Sequence, residues 1–237
     1  MQHGRTLRAD RDDVTAPQVA RFSADPAHVT WLGTRIVRRV ASPPRRVLDI
    51  GCGDGALLRY LADAFPDASL VGVDLFASGL VRDRLTFIRG DYLAADAGRF
   101  DLVVASSSLQ GIEATTDALA GKLARDVAPG GRFMHVTPYR SPYNTALNVL
   151  RRGLRPMRGP VTDRMILTMA RVLHPGQPRA KLLERVEYMY LILRHYECTL
   201  RAALERRGFV LEHAENAPHT SAGQPQHRFA VMSAPAQ

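Results

Sequence analysis

A doubly wound α/β fold on a mainly parallel, seven-stranded sheet is predicted by three observations. Short β-rich runs alternate with helical ones from residue 46 to residue 137, the pattern of βα units laid side by side. The first run, Val47-Leu48-Asp49-Ile50, passes into Gly51-Cys52-Gly53-Asp54-Gly55 and then directly into a helical pattern, so strand, glycine turn and helix follow without a linker. After the fifth strand about seventy residues read as helical before strands return, which places a helical cap over the ligand edge of the sheet.

Each element has its own signal. Residues 1–15 read as an arm, and Asp25-Pro26 reads as an N-cap with proline at the first helical position, opening a helix over 26–41 that Ser42-Pro43-Pro44 ends. The series continues with strand 46–50, helix 55–65, strand 69–74, helix 76–82, strand 85–89, strand 101–106, helix 114–127 and strand 131–137. Pro129-Gly130-Gly131 reads as the turn between the last helix and strand. Helical patterns follow at 142–153, 161–173 and 178–206, and the last strands fall at 209–213 and 227–233. The chain thus divides into an N-terminal arm and helix (1–44), a ligand-binding core (45–138), a helical basic cap (139–207) and C-terminal strands completing the sheet (208–237).

Composition narrows the function classes. The 237 residues, 46% hydrophobic, suffice for one good core with an insertion. No run approaches the roughly 18 apolar residues of a membrane span, and Met1 to Asp13 is polar and charged, unlike a signal peptide, so the chain reads as cytoplasmic. Cys52 and Cys198 have no metal-ligand spacing and read as small buried side chains; no metal is expected. The net charge of +9 is localised: residues 140–207 hold fourteen Lys or Arg and five Asp or Glu, while the rest of the chain holds 18 of each sign. Such a segment either attracts an acidic substrate, carrier domain, nucleic acid or lipid headgroup, or is a solvated helical surface.

Asp49 decides what the glycine turn suits. A fixed carboxylate beside a helix N-terminus repels a pyrophosphate and welcomes an ammonium group. Asp74, closing Val71-Gly72-Val73-Asp74-Leu75, is placed to accept both ribose hydroxyls of an adenosine. Asp91, in Gly90-Asp91-Tyr92-Leu93, ends the third strand, where an acid beside an apolar neighbour suits the exocyclic amine and flat face of adenine. Gly51-x-Gly53-x-x-Ala56 also satisfies the looser dinucleotide pattern, so an NAD-dependent oxidoreductase stays open as the rival.

The spacing Asp49-x-Gly51-x-Gly53-x-Gly55 resembles the first motif of the class I S-adenosylmethionine (SAM)-dependent methyltransferases, whose core is Rossmann-like. The resemblance covers about residues 45–137 and implies SAM as cofactor, held by Asp49, Gly51, Gly53, Gly55, Asp74, Leu75, Asp91, Tyr92 and Ser106. The run Ser106-Ser107-Ser108-Leu109-Gln110 resembles the strand exit of the trans-aconitate and malonyl-carrier-protein methyltransferase group, with Gly111 where that group has an aromatic residue. It implies a small-molecule acceptor, acidic or tethered to a carrier protein, methylated on a carboxylate or hydroxyl oxygen. N- or C-methylation and a non-catalytic SAM-binding module remain as alternatives. Nucleic acid is disfavoured, because the Asn/Asp-Pro-Pro-aromatic run of the base amino-methyltransferases is missing from this exit.

Candidates for the acceptor side lie where the fifth strand ends and in the cap. Tyr139, Arg140 and Tyr143 leave that strand at the ligand edge, and Arg140 suits an acidic acceptor. On the helix expected at 178–206, Tyr188, Ile192, His195, Tyr196 and Thr199 share one face, with His195 a candidate base or a packed histidine. His135 and Trp31 read as packing residues. A carboxylate acceptor needs no base, so the catalytic residues stay open.

Overall fold

The computed structural model describes residues 25–76, 84–218 and 226–236. The arm expected over 1–15 lies outside the described residues, as does all but the first residue of the helix expected at 76–82. Seven strands, β1 (Arg46–Ile50), β2 (Ser69–Asp74), β3 (Leu85–Arg89), β4 (Phe100–Ser106), β5 (Val127–Pro138), β6 (Val210–Asn216) and β7 (His227–Ser233), form a sheet in the order β3-β2-β1-β4-β5-β7-β6. The first five run parallel, and β7 is antiparallel to both its neighbours. The chain moves outward from β1 to β3 and returns to β4 on the other side of β1. Such a reversal opens a crevice at the carboxyl ends of β1 and β4, where open α/β sheets bind their ligands.

Burial on both faces explains the apolar runs of the inner strands. Side chains alternate between two cores. Leu48, Ile50, Val71, Val73, Val103 and Phe133 meet helices α3 (Thr116–Asp126) and α7 (Glu197–Glu205), which contribute Leu119, Leu123, Leu200 and Leu204. On the opposite face Val47, Leu70, Leu102, Val104 and Met134 meet α1 (Pro26–Arg39) and α2 (Ala56–Ala64) through Ile36, Leu58 and Leu61. The expected N-cap is present, with the Asp25 carboxylate accepting from the Ala27 N–H at 2.9 Å ahead of Pro26.

Two expectations need correction. The glycine pair after Pro129 is not a turn ahead of the fifth strand, because β5 already begins at Val127, opposite Phe100. Its register then jumps to Arg132 opposite Leu102, so residues 128–131 form a bulge, with Gly130 at φ 68° and its N–H donating to the Pro235 carbonyl.

The single helix expected over 178–206 is two, α6 (Arg179–Tyr188) and α7, separated by irregular chain. The side chain of Asn148 supplies what a helix would have supplied: its Oδ1 accepts from the Leu193 N–H at 2.9 Å and its Nδ2 donates to the Leu193 carbonyl at 3.1 Å. The next N–H, of Arg194, goes to the Gln110 carbonyl at 2.9 Å. With these backbone groups satisfied by tertiary partners, helical bonds are not needed there. The expected common face of Tyr188, Ile192, His195, Tyr196 and Thr199 is therefore not a helical stripe.

Between β5 and α6 lie α4 (Pro142–Leu154) and α5 (Pro160–Leu173). Helix α4 is capped by Ser141, whose Oγ accepts from the Asn144 N–H, and it is turned inside out. It buries Asn144, Leu147, Asn148 and Arg151 while leaving Val149 66% and Leu150 51% exposed. Helices α5 and α6 share a small core of Ile166, Val186 and Tyr190.

Candidate functional site

The carboxyl edge of β1, β2 and β3 brings the three aspartates together. Asp49 is 2% exposed, and its Oδ1 has no hydrogen-bond partner among the described residues. Burial, reinforced by the nearby Asp74 charge, pushes its pKa up to about 7. Gly51, Gly53 and Gly55 all have positive φ, at 72°, 54° and 76°. At Gly51 no other residue fits, since a Cβ there would stand 2.3 Å from the Ser108 Cβ.

Asp74 ties the edge together. Its Oδ2 accepts from the Gly53 N–H at 2.9 Å and its Oδ1 from the Phe76 N–H at 2.9 Å, fixing the carboxylate between the glycine turn and the chain leaving β2. Each oxygen keeps a lone pair. Leu75 beside it is 43% exposed. The Gly90 N–H donates to the Asp74 carbonyl, which brings Asp91 alongside; Asp91 is exposed, with Oδ1 accepting from the Leu93 N–H at 3.0 Å. Tyr92 does not join this group. Its ring is buried and its hydroxyl donates to Asp126 Oδ2 at 2.8 Å, within a network completed by Lys122.

The serines leaving β4 have separate tasks. Ser106 Oγ lies 3.0 Å from His28 Nε2, so α1 reaches over the end of β4. Burial holds the His28 pKa below the usual imidazole value, against a smaller opposing effect of Asp25. Ser107 adopts φ 54°, and Ser108 Oγ donates to the Ile50 carbonyl beneath the glycine turn. Gln110 is fully buried and donates from Nε2 to the Ser107 carbonyl.

The acceptor-side candidates separate. Tyr139 donates its hydroxyl to Gln226 Oε1 at 3.1 Å and lies under the Arg228 guanidinium. Arg140 is exposed and sits over the Tyr196 ring at 5.6 Å. Tyr143 is 37% exposed. Arg140, Arg152 and Arg194 rim a cavity of about 440 Å³ that Thr115, Thr116 and Tyr196 also line, with no residue of the glycine turn in its wall. His195 is buried with both ring nitrogens occupied: Nε2 lies 3.0 Å from the Ile112 carbonyl, and Nδ1 lies 3.1 Å from Thr116 Oγ1. The carbonyl can only accept, so Nε2 carries the proton and Nδ1 takes the threonine hydroxyl. Burial lowers its pKa, and the side chain is a neutral brace between the β4 exit and α7.

His135 and Trp31 are packing residues, as expected. His135 is fully buried against Phe133, and its pKa is driven down by burial to about 3. Trp31 meets the Phe229 ring edge-on under the Arg35 guanidinium.

Sequence reasoning named Gln110 and Tyr188 but missed His28, Asn148 and Arg151. Arg151 has the largest fully buried side chain, on the same α4 stripe as Asn148, and its guanidinium stands 4.8 Å from the Tyr188 ring centre. The signal was present in Asn144, Leu147, Asn148 and Arg151, which share a helical stripe. Among the described residues no group of three His, Cys, Asp or Glu could hold a metal ion, and no helix is long and apolar enough to cross a membrane.

The model of a methyltransferase domain family matches residues 19–214. A malonyl-[acyl-carrier protein] O-methyltransferase of Geobacter sulfurreducens is 32% identical over 160 residues, 57% of this chain and 59% of that protein. A trans-aconitate 2-methyltransferase of Acidovorax sp. is 33% identical over 103 residues, 40% of either protein. The chain thus spans less than two thirds of the length of these curated relatives. Among solved structures, the 1,6-didemethyltoxoflavin-N1-methyltransferase of Burkholderia thailandensis has the same fold at a TM-score of 0.60 and 15% identity, covering 89% of this chain and 80% of that one.

Proposed function

This chain belongs to the methyltransferase domain family, and from that premise we propose that it transfers a methyl group from SAM to an oxygen of a small acidic molecule. The observation that carries the reading is the buried Asp49 carboxylate, with an unpartnered oxygen, at the glycine turn and in line with Asp74 and Asp91. These residues fit the cofactor. An orphaned buried acid is costly until a cation meets it, and SAM carries an ammonium at one end. In this reading Asp49 takes that ammonium through its free oxygen, Asp74 offers its remaining lone pairs to the ribose hydroxyls, and Asp91 faces the adenine amine. Tyr92 contributes through its backbone and its place in the core.

When bound, the cofactor supplies a methyl already activated by a sulfonium. The chain's task is then to align the acceptor and keep the passage dry. Ser106, held by His28, and the fully buried Leu109 and Gln110 line the exit of β4, where the acceptor meets the methyl. No side chain needs to take a proton from a carboxylate, which is ionised at neutral pH. That accords with His195, whose ring nitrogens are both committed to protein partners. The relatives' names specify malonyl carrier protein and trans-aconitate, and both molecules are carboxylates, which supports an acidic acceptor here.

The test has two stages. Calorimetric titration with S-adenosylhomocysteine is expected to show binding that Asp49→Ala and Asp74→Ala each weaken by at least about tenfold; binding of NAD instead overturns the reading. Incubation with methyl-labelled SAM and a panel of organic acids is expected to yield base-labile methyl esters. Label stable to base in every product overturns transfer to a carboxylate.

A further inference from the structure

Arg151 is out of place as a structural residue. Its side chain is fully buried, and Nε, Nη1 and Nη2 all have no hydrogen-bond partner among the described residues. Nor does any carboxylate among them form a salt bridge with it. Guanidinium groups stay protonated even under burial that pulls their pKa down, as it does here, so the positive charge persists. A buried charge is ordinarily matched by a partner. What surrounds this one is aromatic: Tyr188 under the guanidinium at 4.8 Å, with Tyr143 and Tyr196 in electrostatic reach.

The surroundings lead back to the reaction edge. Tyr188 hydrogen-bonds Gln110, and Gln110 in turn holds the Ser107 carbonyl at the end of β4. On the other side, Asn148, one turn before Arg151 on α4, donates to the Tyr196 hydroxyl at 3.2 Å and anchors the Leu193 backbone. Helix α4 has turned its polar stripe inward to build this lining, at the expense of leaving Val149 and Leu150 in solvent. Packing alone does not reward that arrangement.

We infer that Arg151 is the specificity-determining residue of the acceptor site, taking an acceptor carboxylate in a paired, two-point contact beside Tyr188 and the β4 exit. The inference rests on the methyltransferase reading above. A guanidinium that donates to both carboxylate oxygens also draws off their electron density. The anchored carboxylate is therefore not the group that receives the methyl, and the acceptor carries a second nucleophile: a diacid or a hydroxy acid. Arg140, exposed over Tyr196, is not the anchor.

The experiment compares the wild-type chain with Arg151→Met and Arg151→Lys, each saturated with S-adenosylhomocysteine, titrated with malonate, glutarate, trans-aconitate and dimethyl glutarate. At least one free acid is expected to bind the wild type, and the neutral diester is not. Arg151→Met is expected to lose that binding by tenfold or more, and Arg151→Lys to recover part of it, with cofactor-product affinity within twofold of wild type throughout. Without acid, Arg151→Met is expected to melt at a higher temperature, since it removes an unmatched buried charge; a lower melting temperature assigns Arg151 to the fold and overturns the inference. Equal acid binding by wild type and Arg151→Met, or no acid bound by the wild type, overturns it too. Loss of S-adenosylhomocysteine binding by the wild type itself is a failure of the methyltransferase reading instead.

Discussion

The strongest consequence of the site geometry concerns the proton on Asp49. Its carboxyl is raised from an ordinary 3.8 to about 7 by burial and by the Asp74 charge. In the unfolded chain the proton leaves near the ordinary value, while the folded chain keeps it until about pH 7. Between those limits the folded state binds more protons, so this group's contribution to stability is greatest at low pH and is lost as pH rises through the window. Three pH units at about 1.4 kcal/mol each give a cost of roughly 4 kcal/mol at full ionisation.

Asp49→Asn removes that ionisation while keeping the shape. Urea unfolding is expected to show the variant gaining on wild type by roughly 2–4 kcal/mol at about pH 8 and by almost nothing at about pH 4. Binding runs the other way. An ammonium ligand requires the ionised acid, so S-adenosylhomocysteine affinity of the wild type is expected to fall about tenfold for each pH unit below about 7. The Asn variant is expected to bind weakly and without that slope. Wild-type affinity that stays flat from about pH 5 to about pH 8, or an Asn variant binding as tightly as wild type, refutes the role assigned to Asp49.

His135 is the opposite case: buried neutral, with its pKa depressed to about 3, it costs stability as pH falls below the ordinary imidazole value. His135→Gln is expected to unfold less readily than wild type on acidification from about pH 6.5 to about pH 4, measured by urea midpoints. Asn148→Leu, which strips both backbone partners from Leu193, is expected to lower stability by roughly 2–4 kcal/mol and to raise proteolytic cleavage within residues 189–196. Gly51→Ala, forced to φ 72° against Ser108, is expected to lose at least about tenfold in S-adenosylhomocysteine affinity and roughly 2 kcal/mol of stability. Asp126→Ala is expected to cost roughly 3–5 kcal/mol by leaving the Lys122 ammonium and Tyr92 hydroxyl buried without their acceptor.

What could be read without coordinates follows the range of the interactions involved. Val47 to Gly55 identify a strand, a turn and the start of a helix because an apolar run, glycine and helix periodicity are local, and Asp49, Asp74 and Asp91 line up because strands in βα units share a direction. Failure came where a distant side chain overrides local preference. The 178–206 run has helical spacing throughout, and Asn148 and the Gln110 carbonyl, both far back in the chain, release its middle from helical bonding. Tyr92 follows the same rule: its neighbour Asp91 reaches the edge, but its own hydroxyl is claimed by Asp126, at the end of α3. The inward polar stripe of α4 escaped because the same 3.6-residue period also offers an apolar face, and periodicity cannot say which side meets protein.

Two unmatched buried charges of opposite sign then divide the work between the sheet and the inserted helices. Asp49 belongs to β1 and is coupled to Asp74, whereas Arg151 belongs to α4 and is coupled to Tyr188. Were they partners, each would neutralise the other and neither would raise the energy of the ligand-free fold; in the proposed reading each is met by a ligand of the opposite charge. In the proposed reading a cation at the glycine turn and an anion under α4 bring both sites to neutrality, and Gln110, which donates to the Ser107 carbonyl at the β4 exit and bonds Tyr188, ties that exit to the Arg151 side. Methyl transfer from a sulfonium to an anion destroys charge at the reacting centre, so the barrier is lowest where the surroundings are apolar and dry. In the proposed reading fully buried Leu109 beside Gln110 provides that, with the charges of Asp49 and Arg151 set to either end.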